Sequence, residues 1–377
     1  MEILARGRRL AIVLLAPFFV LALPAQAQYQ AIDLGPIPGT PSFAIGAGGN
    51  QQVGFTETPD GTGASGLTQA ALWTGSPDSF VNLHPVTATV SQATAAAGGQ
   101  QVGFADSAAV LWDGTADSMV SLHPAGFFSS QALGIGDGQQ VGCGNQLVTA
   151  GRGVSQPGPN HALLWSGTAA SVVDLHVGSG FDQTCAFGVS QGHQVGAGVK
   201  GRNTLAVIWN NTAKSVTSLH PDKGFINSTA LAVSGAQQVG WGQTAAFVEP
   251  GVERQPISRF HALMWTGNKA TVVDLHTAGG PFKDTQALGV GSGLQVGFGF
   301  DSQDGSAPQA ALVWAGTAAS VVNLNQFLPV EFVSAKAFAI DPTTGVISGA
   351  ATTDTTDFSQ WHAFIWVPVA AAAVKSH

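Results

Sequence analysis

The sequence predicts an all-β protein, a seven-bladed β-propeller with four antiparallel strands in each blade. Three observations predict it: a tryptophan motif that recurs seven times, four short strand patterns in each repeat, and an unpaired strand pattern near the N-terminus. Four antiparallel strands in a unit of roughly 40–50 residues are typical of a propeller blade. The chain has 45% hydrophobic residues, 10% charged residues and 49 glycines. This composition fits a large core built from many short strands and turns.

The repeat is defined by tryptophans that each follow a short apolar strand, and successive tryptophans are 39 to 56 residues apart. A Gln-Val-Gly strand precedes nearly every tryptophan, and a strand rich in glycine and alanine precedes that one. A strand of the Val-Val-Asp-Leu type follows. In chain order we name these strands A, B, C and D. The seven tryptophans are Trp73, Trp112, Trp165, Trp209, Trp265, Trp314 and Trp366.

The ring closes through the N-terminal strand pattern. Strands A, B and C occur seven times, but only six D strands follow a tryptophan. The seventh D pattern is found at residues 29–34, with no A, B or C before it. We therefore predict that this strand completes the last blade. The predicted propeller spans residues 28–367, and residues 368–377 form a C-terminal tail.

Residues 1–27 have the layout of a secretory signal peptide. Three arginines precede an apolar run at residues 11–23, and Ala25-Gln26-Ala27 is a small-x-small cleavage site. The run is too short for a membrane-spanning helix, and no other long apolar stretch follows. We expect a secreted or periplasmic protein without a membrane span. The remaining chain keeps 11 of the 14 basic and 21 of the 22 acidic residues, a net charge of −10, which argues against a nucleic-acid partner.

The repeat carries a resemblance to a known family. The string His161-Ala-Leu-Leu-Trp165, followed by Asp174-Leu175 and Gln194-Val-Gly196, resembles the HAF repeat of exported bacterial proteins. The resemblance covers essentially the whole chain after residue 27. It implies an exported bacterial repeat protein with a propeller-like fold, and it brings no established chemistry.

Two short motifs match catalytic patterns by coincidence. Residues 188–192 read Gly-Val-Ser-Gln-Gly, but a nucleophile elbow needs a strand–turn–helix setting, and here a second strand follows. Residues 196–201 match a dinucleotide fingerprint but open no helix that could hold a pyrophosphate. We predict no catalytic residue and no cofactor from either motif.

Eight of the ten histidines occupy two repeat positions, before the tryptophan in strand C and at the end of strand D. The C–D hairpin should place His161 near His176 and His261 near His276. Such pairs could bind a metal ion, because neutral imidazole suits Zn, Cu or Ni. The alternative is a polar outer strand with local hydrogen bonds. We favour the alternative and predict no metal site, since no third ligand recurs with either pair.

Aspartate follows the strand-C histidine by thirteen residues only in the copies that have the histidine. His161 is matched by Asp174, and His261 by Asp274. We interpret these as polar pairs that fasten strand D to strand C, because a half-buried carboxylate needs a donor. Ring closure extends the rule across the whole chain. It predicts that His362 pairs with Asp33, at the opposite end of the sequence.

The length variation falls in the B–C connections, which we expect as loops over residues 56–68, 144–160, 242–260, 299–308 and 351–361. Variable loops on a rigid scaffold are where function usually lies. We place Trp241 and Trp361 in these connections as candidate ligand contacts, together with His176 and His276. The first hypothesis is a monomeric, non-catalytic binding module for a glycan, a peptide or an envelope protein. The alternative is a propeller hydrolase or lyase that acts on an extracellular polysaccharide. The sequence leaves open whether Cys143 and Cys185 form a disulfide.

Overall fold

The computed structural model describes residues 28–35, 40–58, 66–149, 154–246, 257–267, 271–301 and 308–369. The predicted signal peptide, residues 1–27, and residues 370–377 of the predicted tail lie outside the described residues. The described chain forms seven sheets of four antiparallel strands, and consecutive sheets pack against one another around a ring. The predicted seven-bladed β-propeller is confirmed.

Each blade runs from strand A at the axis to strand D at the rim. The A strands are Ser42–Gly48, Ser91–Ala97, Phe127–Gly136, Gln183–Ser190, Phe225–Ser234, Asp284–Gly291 and Ser334–Ile340. The B strands are Gln51–Thr58, Gln100–Ala105, Gln139–Thr149, His193–Lys200, Gln237–Thr244, Leu294–Phe300 and Ile347–Thr352. The C strands are Leu67–Trp73, Ala108–Trp112, Ser155–Trp165, Asn203–Trp209, Phe260–Thr266, Ala310–Trp314 and Trp361–Val369. The D strands are Val81–Asn82, Val120–Ser121, Val173–Asp174, Thr217–Ser218, Val273–Asp274, Val322–Asn323 and, for blade seven, Gln28–Asp33.

Short 3₁₀ turns supplement the strands, mostly between strands C and D. The described 3₁₀ turns are Pro77–Ser79, Ala116–Ser118, Ala169–Ser171, Ala213–Ser215, Ala318–Ser320, Leu324–Phe327 and Phe358–Gln360. Within the described parts of the chain, no helix has the length and apolarity needed to cross a membrane.

The N-terminal strand completes blade seven, as the count of D strands predicts. Gln28–Asp33 pairs antiparallel with Trp361–Val369, with Ile32 opposite Ile365. The amide of Leu34 continues the ladder by donating to the carbonyl of Ala363 at 2.8 Å. The last strand ends at Val369, so residues 368 and 369 belong to the sheet and not to the tail that we predicted.

The hydrophobic core lies between the blades rather than within them. Between blades four and five, for example, Val195, Ile208 and Leu219 pack against Leu263 and Trp265 of the following blade. All seven repeat tryptophans are at most 1% exposed. Each buries a large apolar surface, so each seam is held mainly by apolar packing.

A β-bulge occurs at the same register position in strand A of every blade. In blade one the ladder shifts between Ala44 and Gly46, which leaves Ile45 as the extra residue. The same shift occurs after the equivalent alanine in the other six blades. A bulge bends the strand and redirects one side chain. The glycine of the Val-Gly motif is required at this place, because a Cβ atom on Gly54 would overlap with the carbonyl oxygen of Phe43.

The B–C connection of blade three is shorter than the sequence indicates. We expected a loop over residues 144–160, but strand B extends to Thr149 and strand C begins at Ser155. The two strands therefore project as a paired ribbon, with Val148 opposite Gln156. The alternation of polar and apolar residues there is weak, which is why the extension was missed.

Cys143 and Cys185 form a disulfide that joins blades three and four, with their Cα atoms 4.9 Å apart. Cys143 lies in strand B of one blade and Cys185 in strand A of the next. This answers the question that the sequence left open. The bond spans a sequence separation of 42 residues.

Removing the strand at residues 28–35 should leave strand C of blade seven with an unpaired edge. We expect the deletion variant to unfold at lower temperature and to aggregate, because exposed strand edges pair with other chains. Thermal unfolding and size-exclusion chromatography measure both effects. A synthetic peptide of residues 28–35, added in excess, should partly restore stability. An unchanged melting temperature in a monomeric deletion variant would contradict the closure.

Replacing Cys143 and Cys185 together by serine should leave the fold intact. The seven apolar seams remain, so we expect the variant to fold and to lose about 2–4 kcal/mol of unfolding free energy. Urea unfolding of the oxidised protein, the reduced protein and the double variant provides the measurement. Reduced protein and variant should agree with each other. A variant without cooperative unfolding would show that the bond is needed for folding.

Candidate functional site

The structure brings together all three predicted His–Asp pairs. The Nδ1 atom of His161 lies 2.7 Å from Asp174 Oδ2, and the same contact joins His261 to Asp274. His362 contacts Asp33 across 329 positions of sequence, at 2.8 Å. In each aspartate the other oxygen accepts the backbone amide two residues later. Each pair thus fixes the end of strand D onto strand C.

The histidines at the ends of strands D belong to the seams between blades. The Nδ1 atom of His176 lies 3.1 Å from the hydroxyl of Thr184, at the start of strand A in the next blade. That hydroxyl also accepts the backbone amide of Ala162 in strand C, at 2.9 Å. In blade six Asn325 takes the place of the histidine and accepts the amide of Ala311. The hydroxyls that accept a strand-C amide are Ser42, Ser91, Ser130, Thr184, Ser228 and Thr285.

We predicted His176 and His276 as ligand-face residues, and the structure places both as partly exposed side chains at seams between blades. Their rings stack on His161 and His261, with centroids 4.1 Å apart in both blades. In each pair both Nδ1 atoms are already engaged, one by an aspartate and the other by a threonine hydroxyl. Among the described residues, no cluster of three or more His, Cys, Asp or Glu side chains has a metal-binding arrangement.

The surroundings of these histidines shift their pKa values in opposite directions. Desolvation lowers the pKa of His176 and of His276 below 6.5, and the neighbouring histidine lowers it further. The hydrogen bond to Asp33 raises the pKa of His362. The first two are therefore held neutral, while the third is held protonated to higher pH.

Trp241 and Trp361 are not in the B–C connections where we placed them. Trp241 lies inside strand B of blade five, opposite Thr229, and Trp361 opens strand C of blade seven. Both rings are partly exposed and contact other aromatic side chains. Trp241 meets Phe260 edge to face at 5.3 Å. Trp361 stacks on Phe43 of blade one at 5.6 Å.

Trp241 belongs to one of two circles of residues around the axis, on the face of the B–C connections, and Trp361 borders them through its contact with Phe43. Strand A contributes one residue per blade, just before the buried alanine that precedes the bulge, and strand B contributes its direct cross-strand partner. The inner ring comprises Phe43, Gln92, Gln131, Cys185, Thr229, Gln286 and Lys336. The outer ring comprises Phe55, Phe104, Cys143, Ala197, Trp241, Phe298 and Ala350. We call the two rings together the axial mouth.

The axial mouth is aromatic on one side. Phe43 stacks in near-parallel fashion on Phe55, on Trp361 and on Phe358, with centroids 4.9 to 5.6 Å apart. Phe358 is 48% exposed, so one end of this stack faces solvent. In blade six the ring of Phe298 stacks on that of Phe300, with centroids 5.7 Å apart. Aromatic rings therefore line an arc over blades five, six, seven, one and two.

The polar residues of the mouth are unengaged. The side-chain amides of Gln92, Gln131 and Gln286 make no hydrogen bond to any residue that the structure describes, and all three are at least partly exposed. None of the fourteen mouth positions carries a carboxylate, and the single charged side chain is that of Lys336. The mouth thus combines aromatic faces with free amide donors and acceptors.

A central cavity of about 430 Å³ lies on the other side of the bulges, toward the A–B turns. Asp137 contributes the one ionisable side chain among the described residues that line it. The bulge residues of all seven blades line the cavity, and six of them are large and apolar; we call them the collar. The collar comprises Ile45, Thr94, Leu133, Phe187, Leu231, Leu288 and Phe338.

Among the described residues, the two buried carboxylates on the face of the B–C connections, Glu57 and Asp284, do not form a pair that could act in acid–base catalysis. Glu57 is 9% exposed, and burial raises its pKa, but no second carboxylate contacts it there. Asp284 is buried against Arg259, with Asp284 Oδ2 3.0 Å from Arg259 Nη1, and it also accepts the amide of Phe260. This second carboxylate is therefore structural. A glycosidase needs two carboxyl groups that face one bond.

Sequence reasoning missed the axial mouth, although its signal was present. Aligning the seven copies shows a polar or aromatic residue before the buried alanine of strand A, as in Gln92 and Lys336. It also missed the buried side chain of Gln140, which connects two turns. Its Oε1 atom accepts the amide of Gly167 in the C–D turn, and its Nε2 atom donates to the carbonyl of Gly138 in the A–B turn. Both features join residues of different strands, so neither appears in a single local motif.

No family model matches the chain, and no curated protein matches it, so the resemblance to HAF repeats stays a prediction. Among solved structures, TolB from Acinetobacter baumannii has a TM-score of 0.41 at 10% identity, over 73% of this chain and 63% of that chain. An oligogalacturonate lyase in complex with manganese has a TM-score of 0.48 at 8% identity, over 92% and 97%. A Bombyx mori GH32 beta-fructofuranosidase mutant in complex with sucrose scores 0.24 at 10% identity, over 91% of each chain. All three TM-scores lie below 0.5, so these likenesses support no conclusion about this chain.

The opposite pKa shifts predict opposite effects of pH on stability. The pKa values of His176 and His276 are lower in the folded state than in the unfolded chain. Below about pH 6.5 the unfolded chain therefore binds more protons than the folded protein, and the free energy of unfolding falls as pH is lowered. Replacing both histidines by asparagine, as blade six has at Asn325, should flatten this fall. For His362 the stabilisation is complete below about pH 6.5 and is lost as pH rises through its raised pKa.

Urea unfolding between about pH 5 and pH 8 measures both effects. In the acidic half of the range, the free energy of unfolding should fall less steeply with decreasing pH in the double asparagine variant than in wild type. A His362→Gln variant should lose stability in the acidic half relative to wild type, and the difference should shrink at higher pH. Parallel profiles for all three proteins would contradict the assignment.

Proposed function

We propose that the protein is an exported, non-catalytic module that binds carbohydrate at the axial mouth. The observation that carries the proposal is the pairing of partly exposed aromatic rings with unengaged amides around the axis. A sugar ring has an apolar C–H face and a hydroxyl edge. Aromatic faces match the first, and glutamine side chains, which both donate and accept, match the second.

The stack around Phe43 is the best-formed part of the proposed site. Phe43 is only 9% exposed and holds Phe358 and Trp361 in near-parallel orientation from below. Rings that are held in place lose little conformational entropy when a ligand binds, which favours affinity. The other aromatic residues of the arc would contact further units of an extended glycan.

The non-catalytic reading is supported by the charges of the mouth. Polysaccharide hydrolases use converging carboxylates, and the fourteen positions contain none. The central cavity offers a single ionisable side chain among its described lining. A peptide or an envelope protein is a weaker fit, because such interfaces rely on larger apolar anchors than the axial mouth presents.

Trp361→Ala and Phe358→Ala variants test the proposal on a glycan array followed by calorimetric titration. We expect wild-type protein to bind a defined set of glycans. The affinity of each variant should be lower by a factor of about ten or more, because an aromatic anchor of the site is lost. Phe128→Ala is the matched control: Phe128 is 44% exposed, but it lies in blade three, outside the aromatic arc, and its loss should not affect binding.

Three outcomes would count against carbohydrate binding at this site. Wild-type protein could bind no glycan, the Trp361→Ala variant could bind as wild type does, or the Phe128→Ala variant could lose binding equally. Release of reducing ends from any bound polysaccharide would instead identify a hydrolase or a lyase.

A further inference from the structure

Lys336 stands out among the residues of the axial mouth. Its Nζ atom lies 5.0 Å above the ring of Phe298 in the preceding blade, a cation–π contact across the seam. Among the described residues no carboxylate lies within 4.0 Å of this ammonium group, so it forms no ion pair there. Partial burial lowers the pKa of Lys336, because desolvation disfavours its charged form.

Three acidic residues of the same face are engaged elsewhere, and one of them, Asp354, accepts the amide and the hydroxyl of Thr356. Lys283 Nζ lies 3.7 Å from Asp301, and Asp357 accepts the amide and hydroxyl of Ser359. The mouth therefore carries one uncompensated positive charge in a chain whose formal net charge is −8. The described carboxylates at the B–C ends of blades one, six and seven are Glu57, Asp301, Asp354 and Asp357.

We propose that the axial mouth selects a sugar that carries a carboxylate, and that Lys336 binds this carboxylate while partly exposed aromatic side chains such as Trp361 contact the sugar ring. The inference rests on the proposed function, because it names the class of glycan that the same site takes. A half-desolvated ammonium without a partner is unfavourable, and a ligand carboxylate supplies that partner. A single compact lysine without arginine matches one carboxylate rather than a multiply charged phosphate.

A matched pair of ligands isolates the charge. The first is a hexasaccharide of 1,4-linked hexuronic acid, and the second is the same hexasaccharide with every carboxyl group reduced to a hydroxymethyl group. Linkage, length and ring shape are equal in both. In calorimetric titration at low salt we expect wild-type protein to bind the uronate at least about ten-fold more tightly, and we expect this ratio to shrink as salt is added.

Substitutions then assign the preference to one residue. Lys336→Met should bind the two hexasaccharides equally, and Lys336→Arg should retain the preference. Gln286→Glu places a carboxylate at the equivalent position of blade six, so it should weaken binding of the uronate more strongly than binding of the reduced ligand. Thermal unfolding of each variant verifies that the fold is unchanged.

The outcomes separate this inference from the proposed function. If wild-type protein binds both hexasaccharides equally, or if Lys336→Met keeps the preference, the role of Lys336 is refuted and carbohydrate binding stands. If neither these ligands nor any glycan on the array binds, the proposed function itself is refuted, and the inference with it. A preference that disappears with Lys336→Met alone supports both.

Discussion

The structure depends on one repeated contact, in which a hydroxyl at the start of strand A fastens its blade to the preceding one. Thr184 accepts the amide of Ala162 and contacts His176, so strands C and D of one blade are tied to strand A of the next. Apolar packing supplies most of the seam energy, but it is not directional. The hydrogen-bonded hydroxyl fixes the angle at which consecutive blades meet. Ring closure uses the same contact, through Ser42 and Ala363.

Because each seam fixes strand A, the bulge in strand A has the same consequence in all seven blades. Ile45 and its equivalents are redirected toward the axis, where they form the collar. The collar divides the axial region into a cavity on the A–B side and the mouth on the B–C side. The two compartments differ in chemistry: the cavity is lined by glycine, alanine and apolar side chains, whereas the mouth carries aromatic rings and amides.

The fold could be predicted from sequence because its determinants repeat. Seven tryptophans and a displaced D strand fix the number of blades, and the thirteen-residue spacing of His161 and Asp174 fixes a cross-strand contact. The candidate site could not be predicted in the same way. Trp241 and Trp361 were noticed as aromatic residues outside the repeat, yet their strands extend further than local patterns indicate. Their neighbours come from other blades, so only the register reveals the mouth.

The disulfide shows why the mouth is one-sided. Cys143 and Cys185 occupy the outer and inner rings at the seam between blades three and four, where a side chain would otherwise be free to contact a ligand. Ala197, the next residue of the outer ring, is also small. A covalent bond and a small residue therefore occupy the side of the mouth that lacks aromatic rings. Ligand contacts are left to the arc of blades five, six, seven, one and two, and Lys336 lies within that arc.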